Sequence, residues 1–338
     1  MKVLFKFNIL LSIGVIFWSC TKTSNYGKNV VYGEALGTTY AITYISKEQV
    51  DLQPSIDSLF NVVNKSMSTY IPDSDISKIN NGDTTIIVDK MFEEVFATSK
   101  KVFEATNGYF DPTIGILVDA WGFGPGDQVP LDSVKVDSLL RYVGFNKVNL
   151  TSENRIKKQN SSIRFDFNAV AKGYAIDRLG VLLSNRGYQN YLVEVGGEIL
   201  AKGKNSLTDK PWTVGVDDPL NIEDRGRAAI VQLQDKALAS SGNYRKYRVD
   251  SITGEKYVHT INPKTGFTKN SSLLAATVVA DNCAIADAFA TAFMAMGIEK
   301  AIEYLNTQSD LDAFLIYVAK DGTIQNFKTK GFKSIEIN

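Results

Sequence analysis

From Val30 onward the chain alternates short strand-like runs, such as Tyr40-Ala41-Ile42-Thr43-Tyr44, with longer segments whose apolar residues recur at helical spacing. Such an alternation admits few architectures. Between residues 89 and 106, Met91, Val95, Ala97, Val102 and Phe103 mark one face of a helix, and helices are also expected over 51–65, 169–186, 283–296 and 298–306. Strands are expected over 189–196, 212–216, 228–233, 273–280 and 313–318. Neither an internal repeat nor a βαβ series with a Gly-rich phosphate fingerprint occurs, which argues against a Rossmann domain. The expected fold class is α+β, a mixed sheet flanked by helices.

The first residues, MKVLFKFNILLSIGVIFWSC, place Lys2 and Lys6 ahead of an apolar run from Phe7 to Trp18. That run is shorter than the roughly 20 residues needed to span a bilayer, so it reads as an export signal. A cysteine directly after it resembles a bacterial lipoprotein signal, with Cys20 as the lipid-bearing first residue of the mature chain, although Phe17-Trp18-Ser19 departs from the usual Leu-Ala-Gly-like residues. A plain signal peptide is the alternative. The expected organisation is a lipoprotein signal over 1–19, a tether over 20–30 and one domain over 31–338. The location that follows is the bacterial cell envelope, lipid-anchored to a membrane and facing the periplasm.

Lys+Arg and Asp+Glu balance at 37 each, so no polyelectrolyte partner is implied and nucleic acid is argued against. After Cys20 only Cys283 remains, so no internal disulfide supports the export reading. Cys283 itself reads as a small buried residue rather than a nucleophile, because no second histidine exists to activate it.

Several constellations could carry chemistry. The segment 281–297, DNCAIADAFATAFMAMG, is a small-residue-rich helix with Asp281 or Asn282 as cap and Gly297 after its end. Asp287 and Thr291 lie four apart, one turn from each other on one face. Oxygen donors of this kind suit Mg²⁺; equally, Asp287 could answer the helix dipole while Thr291 bonds back to a carbonyl. In DFNAVAKGYAIDR (166–178), Lys172 and Gly173 enter a helix where backbone could approach a ligand and lysine meet phosphate, or where lysine is simply solvated. Gly196-Gly197 before Glu198 suggests close backbone approach. Ser240-Ser241-Gly242-Asn243-Tyr244 offers hydroxyls as the wall of a sugar or phosphate site, and either stretch could be an ordinary turn. Ser68-Thr69-Tyr70 and the aromatic, glycine-rich stretch 108–124 could form a stacking pocket or a turn-rich core segment.

His259 is the one histidine in 338 residues. It stands before a turn rigidified by Pro263 and Gly266, where a second group could orient its ring.

Taken in order, GTTY (37–40), STYIPDSDISKIN (68–80), GYFDPTIG with WGFG (108–124) and NAVAKGYAIDR (168–178) resemble the bacterial ApbE family. VGGEI (195–199), SSGNY (240–244), HTINPKTG (259–266) and ADAFATAFMAMG (286–297) continue the resemblance. It implies a flavin transferase that uses FAD to attach FMN to a threonine of a target protein. It further implies Mg²⁺ held by the side chains of Asp287 and Thr291 and by the backbone carbonyl of Ala171. Tyr70, Lys172, Glu198, Ser241 and Thr265 become expected FAD-binding positions, and His259 the expected catalytic residue, as base or as pyrophosphate ligand. The implied partners are exported or membrane redox-complex subunits bearing an acceptor threonine, with the lipid on Cys20 holding the enzyme near them. Three places depart from the family pattern: Asn168-Ala169-Val170 is poorer in glycine, and Asn243 and Asn262 stand where aspartate is usual. With water in place of threonine the same site would be an FAD pyrophosphatase; a non-enzymatic FAD store is a third reading.

Overall fold

The computed structural model describes residues 26–221, 226–242, 247–249, 256–258, 260–268 and 271–337. Along them, β1 (Gly27–Ala35) and β2 (Thr38–Ser46) lead into helices α1 (Gln53–Met67), α2 (Asp75–Asn80), α3 (Lys90–Ala105), α4 (Gly115–Ala120) and α5 (Ser133–Leu140). A ribbon of β3 (Val148–Leu150) and β4 (Ile156–Lys158) precedes α6 (Ala171–Asn185). Then follow β5 (Tyr191–Val195), β6 (Glu198–Lys202), β7 (Trp212–Asp217), β8 (Arg227–Leu233), β9 (Lys236–Gly242), β10 (Tyr247–Val249) and β11 (Lys256–Val258). The chain continues through β12 (Leu273–Ala280), α7 (Cys283–Met296), α8 (Ile298–Thr307), β13 (Asp312–Val318), β14 (Ile324–Lys328), α9 (Lys330–Ile335) and β15 (Glu336–Ile337).

Eight strands form the main sheet in the order β1-β2-β5-β6-β9-β12-β13-β14. The α+β class holds, but the strand directions are not mixed: every neighbouring pair in this sheet is antiparallel. A parallel pair needs a long crossover, usually a helix, between successive strands. Here β5 and β6 are joined by two residues alone, Gly196 and Gly197, both at positive φ. A second correction concerns the tether: Gly27–Val30 are paired with Thr43–Ser46 in β1 and β2, so the expected tether does not extend beyond residue 26. Their polar side chains are compatible with an edge strand, since the ladder is made by backbone alone.

Alternation along each strand sorts the side chains onto two faces. Ala237 and Ala239 of β9, Ala276 and Val278 of β12 and Leu315 of β13 join the core under α1, α3, α6, α7 and α8. Ile199, Leu238, Val279, Phe314 and Ile316 face the other way, onto a smaller antiparallel sheet β15-β8-β7 and Phe332 of α9. The result is three layers, helices on one side of the sheet and a small sheet on the other. The first layer is anchored by fully buried Phe92, Phe165 and Phe167, whose rings meet edge to face or tilted.

Helix α7 lies across β9 and β12 and is buried on nearly all sides, which its run of alanines permits. Its cap is Asn282, whose side chain accepts the Ile285 N–H at 2.9 Å, and Gly297 at φ +81° ends it. At its start α7 comes so near α6 that a Cβ on Gly173 would stand 2.4 Å from the Cys283 carbonyl oxygen. Alanine is ordinarily about 1 kcal/mol better than glycine inside a helix. Here the obstacle is backbone and cannot rotate away, so overpacking outweighs propensity. Gly173→Ala is expected to destabilise the protein by roughly 1–3 kcal/mol, read from denaturant midpoints; an unchanged or raised midpoint would contradict the close approach.

Candidate active site

Asp287 sits one turn into α7 and is 5% exposed. Its Oδ2 accepts the backbone N–H of Gly173 at 3.1 Å, in the first turn of α6, a helix without a side-chain cap of its own. An orphan donor of one helix is thus satisfied by a carboxylate from another. Burial pushes the Asp287 carboxyl above its ordinary range, while the nearby Lys172 ammonium and the Gly173 N–H favour the ionised form.

The reverse contact also exists. Asp177, on α6, accepts the N–H groups of Cys283 and Ala284 at 2.7 and 2.9 Å, the first residues of α7. Its carboxyl is pushed up to about 6, first by burial and further by the charge of Asp287, against the pull of these two N–H groups. Each helix therefore carries the carboxylate that caps the other. The buried Cys283 thiol is pushed well up by desolvation, consistent with an inert packing residue.

Around this crossing the sheet adds its own groups. Lys172 forms an ion pair of 2.6 Å with Glu198, which is 3% exposed at the start of β6. The glycine pair before Glu198 is a tight hairpin turn in which a Cβ on Gly196 would press on Thr38 at 2.8 Å. Thr291, on the same face of α7 as Asp287, lies 3.2 Å from Ser241 across the hydroxyl oxygens. Ser241 is not on a flexible turn; it belongs to β9, paired with Ala276 of β12, and its odd register turns it toward α7. Ala171 opens α6, two residues before the Gly173 contact.

Tyr70 and Thr265 fall in a second group at the rim. Tyr70 is exposed and its hydroxyl donates to the Phe123 carbonyl at 3.4 Å. Trp121 donates its indole N–H to the Gly266 carbonyl at 2.9 Å and meets the Phe267 ring edge-on. The loop bearing Thr265 is closed by Gly266 N–H to Asn262 carbonyl, 2.8 Å, and a Cβ on Gly266 would strike Val136 at 2.6 Å. Asn262, buried, donates its side-chain amide to the Ala295 carbonyl in the last turn of α7 at 3.4 Å. That bond ties the rim loop to the helix that carries Asp287 and Thr291. His259, Asn243 and Cys20 lie outside the described residues; Val258 and Thr260, on either side of His259, are both buried.

Of the sequence-derived positions, Ala171, Lys172, Glu198, Ser241, Asp287 and Thr291 come together where α6, α7, β6 and β9 meet. Asp177 was not among them. Its two partners lie more than a hundred residues away in sequence, so nothing local marks it. The described residues contain no group of three or more His, Cys, Asp or Glu side chains able to hold a metal, so a cation here would rely on one carboxylate with neutral oxygens.

Comparison with known proteins shows the family to which the chain belongs. A model described as the ApbE family matches residues 36–315. A protein of Haemophilus influenzae named FAD:protein FMN transferase is 31% identical over 317 residues, covering 90% of each chain. A Vibrio cholerae protein of the same name is 32% identical over 310 residues, covering 89% of this chain and 90% of the other. Among solved structures, flavin transferase ApbE from Vibrio cholerae superposes with a TM-score of 0.80 at 29% identity, covering 92% of this chain and 99% of that one. The ApbE protein of Thermotoga maritima gives 0.78 at 27% identity, with 92% and 100% covered.

Replacing Asn262 with aspartate tests how the rim is held. A carboxylate cannot donate to the Ala295 carbonyl and brings negative charge to the negative end of α7. Asn262→Asp should cost about 1–3 kcal/mol at neutral pH. Protonation restores a donor, so the aspartate would carry a raised folded-state pKa and its deficit should shrink as pH falls. Denaturant midpoints at neutral and acid pH check both the cost and its sign.

Proposed function

Because the chain belongs to the ApbE family, we propose that it transfers the FMN portion of FAD to a target protein and releases AMP. The observation that carries this reading is the match to curated FAD:protein FMN transferases over nine-tenths of the chain, together with the cluster of Asp287, Thr291, Lys172, Glu198 and Ser241.

The acceptor is a threonine hydroxyl in this reading. Its oxygen attacks the FMN-side phosphorus of the pyrophosphate, the bond to the AMP oxygen breaks, and the hydroxyl proton leaves. His259 takes that proton; with an ordinary pKa of about 6.5 it is a competent base near neutral pH. The Lys172 ammonium, held by Glu198, sits beside Asp287 where it can meet a phosphate oxygen. Ser241 offers a hydroxyl on the same wall, and Tyr70 and Thr265 border the flavin side, where an aromatic ring helps exclude water.

Mg²⁺ fits the donors present: the buried Asp287 carboxylate, the Thr291 hydroxyl one turn on, and the Ala171 carbonyl in the first turn of α6. When bound, it supplies neutralisation of charge developing on the phosphate oxygens. Burial makes the Asp287 charge costly alone, and a cation is the partner that would repay it.

Incubating the mature protein with FAD, Mg²⁺ and a peptide carrying an acceptor threonine should add the mass of an FMN group to the peptide with matching AMP, read by mass spectrometry. Asp287→Ala should abolish this in a folded protein. His259→Ala should lower the rate and remove its rise with pH through about 6.5, the sign expected of a base that works unprotonated. AMP and free FMN beside an unmodified peptide would instead favour hydrolysis.

The reading extends to a lipid-anchored enzyme facing the periplasm and acting on exported or membrane redox-complex subunits, resting on the signal-like start of the chain and Cys20. None of the described helices is long and apolar enough to cross a membrane. The full-length protein should partition with detergent, and Cys20→Ala should release it to the aqueous phase; equal partitioning of both would refute the anchor.

A further inference from the structure

We propose that Asp177 is a positioning residue for the metal-binding carboxylate, setting the place of Asp287 by clamping the first turn of α7 onto α6. The inference rests on the reading that Asp287 holds Mg²⁺.

Three contacts fix the start of α7 against α6. The Asp177 carboxylate accepts the Cys283 N–H with Oδ1 and the Ala284 N–H with Oδ2, at 2.7 and 2.9 Å. The bare Cα of Gly173 lets the Cys283 carbonyl approach to a distance that no other residue would permit. Asp287, one turn further along α7, returns to the Gly173 N–H. Cys283 and Asp287 are successive residues on one face of a rigid helix, so a shift at the first moves the second. Asp287 must sit beside Ala171 and Lys172, both on the first turn of α6, for the carboxylate and the carbonyl to share one cation next to the ammonium that would meet the phosphate.

The placement of like charges at the crossing argues against a merely structural clamp. Two carboxylates, Asp177 and Asp287, are held near one crossing although the charge of Asp287 raises the cost of ionising Asp177. A neutral side chain could fill the space at lower electrostatic cost, but only a carboxylate accepts two adjacent N–H groups at once with full charge against the positive end of α7. Asn282 already caps α7 through the Ile285 N–H, so the helix does not depend on Asp177 in order to start. What Asp177 adds is the location of that start relative to α6.

The test uses the mature protein with Mg²⁺ titrated by calorimetry, alongside the FMN-transfer assay. Asp177→Asn retains the shape but offers one acceptor oxygen where two N–H groups need one each. It is expected to raise the Mg²⁺ dissociation constant about 10-fold or more, the usual cost of losing a group that orients a metal ligand. Transfer should recover toward the wild-type maximum at high Mg²⁺, a shift in metal requirement and not in turnover. Should that variant fail to fold, Cys283→Pro removes one of the two donors with Asp177 intact. It does so at the first position of α7, where proline is tolerated after the extended Asn282; the same weakening of Mg²⁺ binding is expected. Asp287→Ala separates the two claims. If it still binds Mg²⁺ as the wild type does, the metal reading falls; if it loses binding while a folded Asp177→Asn or Cys283→Pro variant binds normally, the positioning role falls.

Discussion

The candidate site is organised by the exchange of carboxylates between α6 and α7. A helix begins with four N–H groups that have no partner within it. Here Asp287 of α7 answers one at the start of α6, and Asp177 of α6 answers two at the start of α7. Neither helix can move along the other without exposing buried donors or stranding a buried charge, and each such loss costs on the order of 1–3 kcal/mol or more. The crossing is thereby fixed in register as well as in distance, and Gly173 makes the distance possible.

The sheet contributes the rest of the wall because its strands are antiparallel and its faces alternate. Ser241 and Glu198 belong to β9 and β6, adjacent strands of the main sheet. Lys172 meets Glu198, and Thr291 meets Ser241, so both helices are tied to this wall by polar contacts as well as by core packing. The rim is joined more lightly. Trp121 reaches the Gly266 carbonyl, and Asn262 reaches the end of α7, so the loop carrying Thr265 is referred to the same helix. Asn262 is used here as a donor.

Much of the fold was legible because the signals were local. The strand runs at 191–195, 212–217 and 273–280 and the helices at 90–105 and 283–296 follow from apolar period and cap residues, and their observed bounds differ from expectation by at most a few residues. β1 and the strand nature of Ser240-Ser241-Gly242 were not legible. The polar and small residues there carry no apolar alternation, and their backbones are ordered by partners on other strands. For the same reason the sheet's antiparallel pairing could not be read from the order of elements.

For the site, residue type and spacing alone determined which groups could act: Asp287 and Thr291 on one helix face, Lys172 at a helix start, Glu198 after a glycine hairpin, and His259 as the one imidazole in the chain. Only the tertiary structure decided that Lys172 meets Glu198, that Ser241 meets Thr291, and that Asp177 and Asp287 each cap the other's helix. Those pairings join residues 26 to 114 positions apart in the chain. A hydrogen bond depends on distance in space, and periodicity in sequence carries no information about distances of that kind.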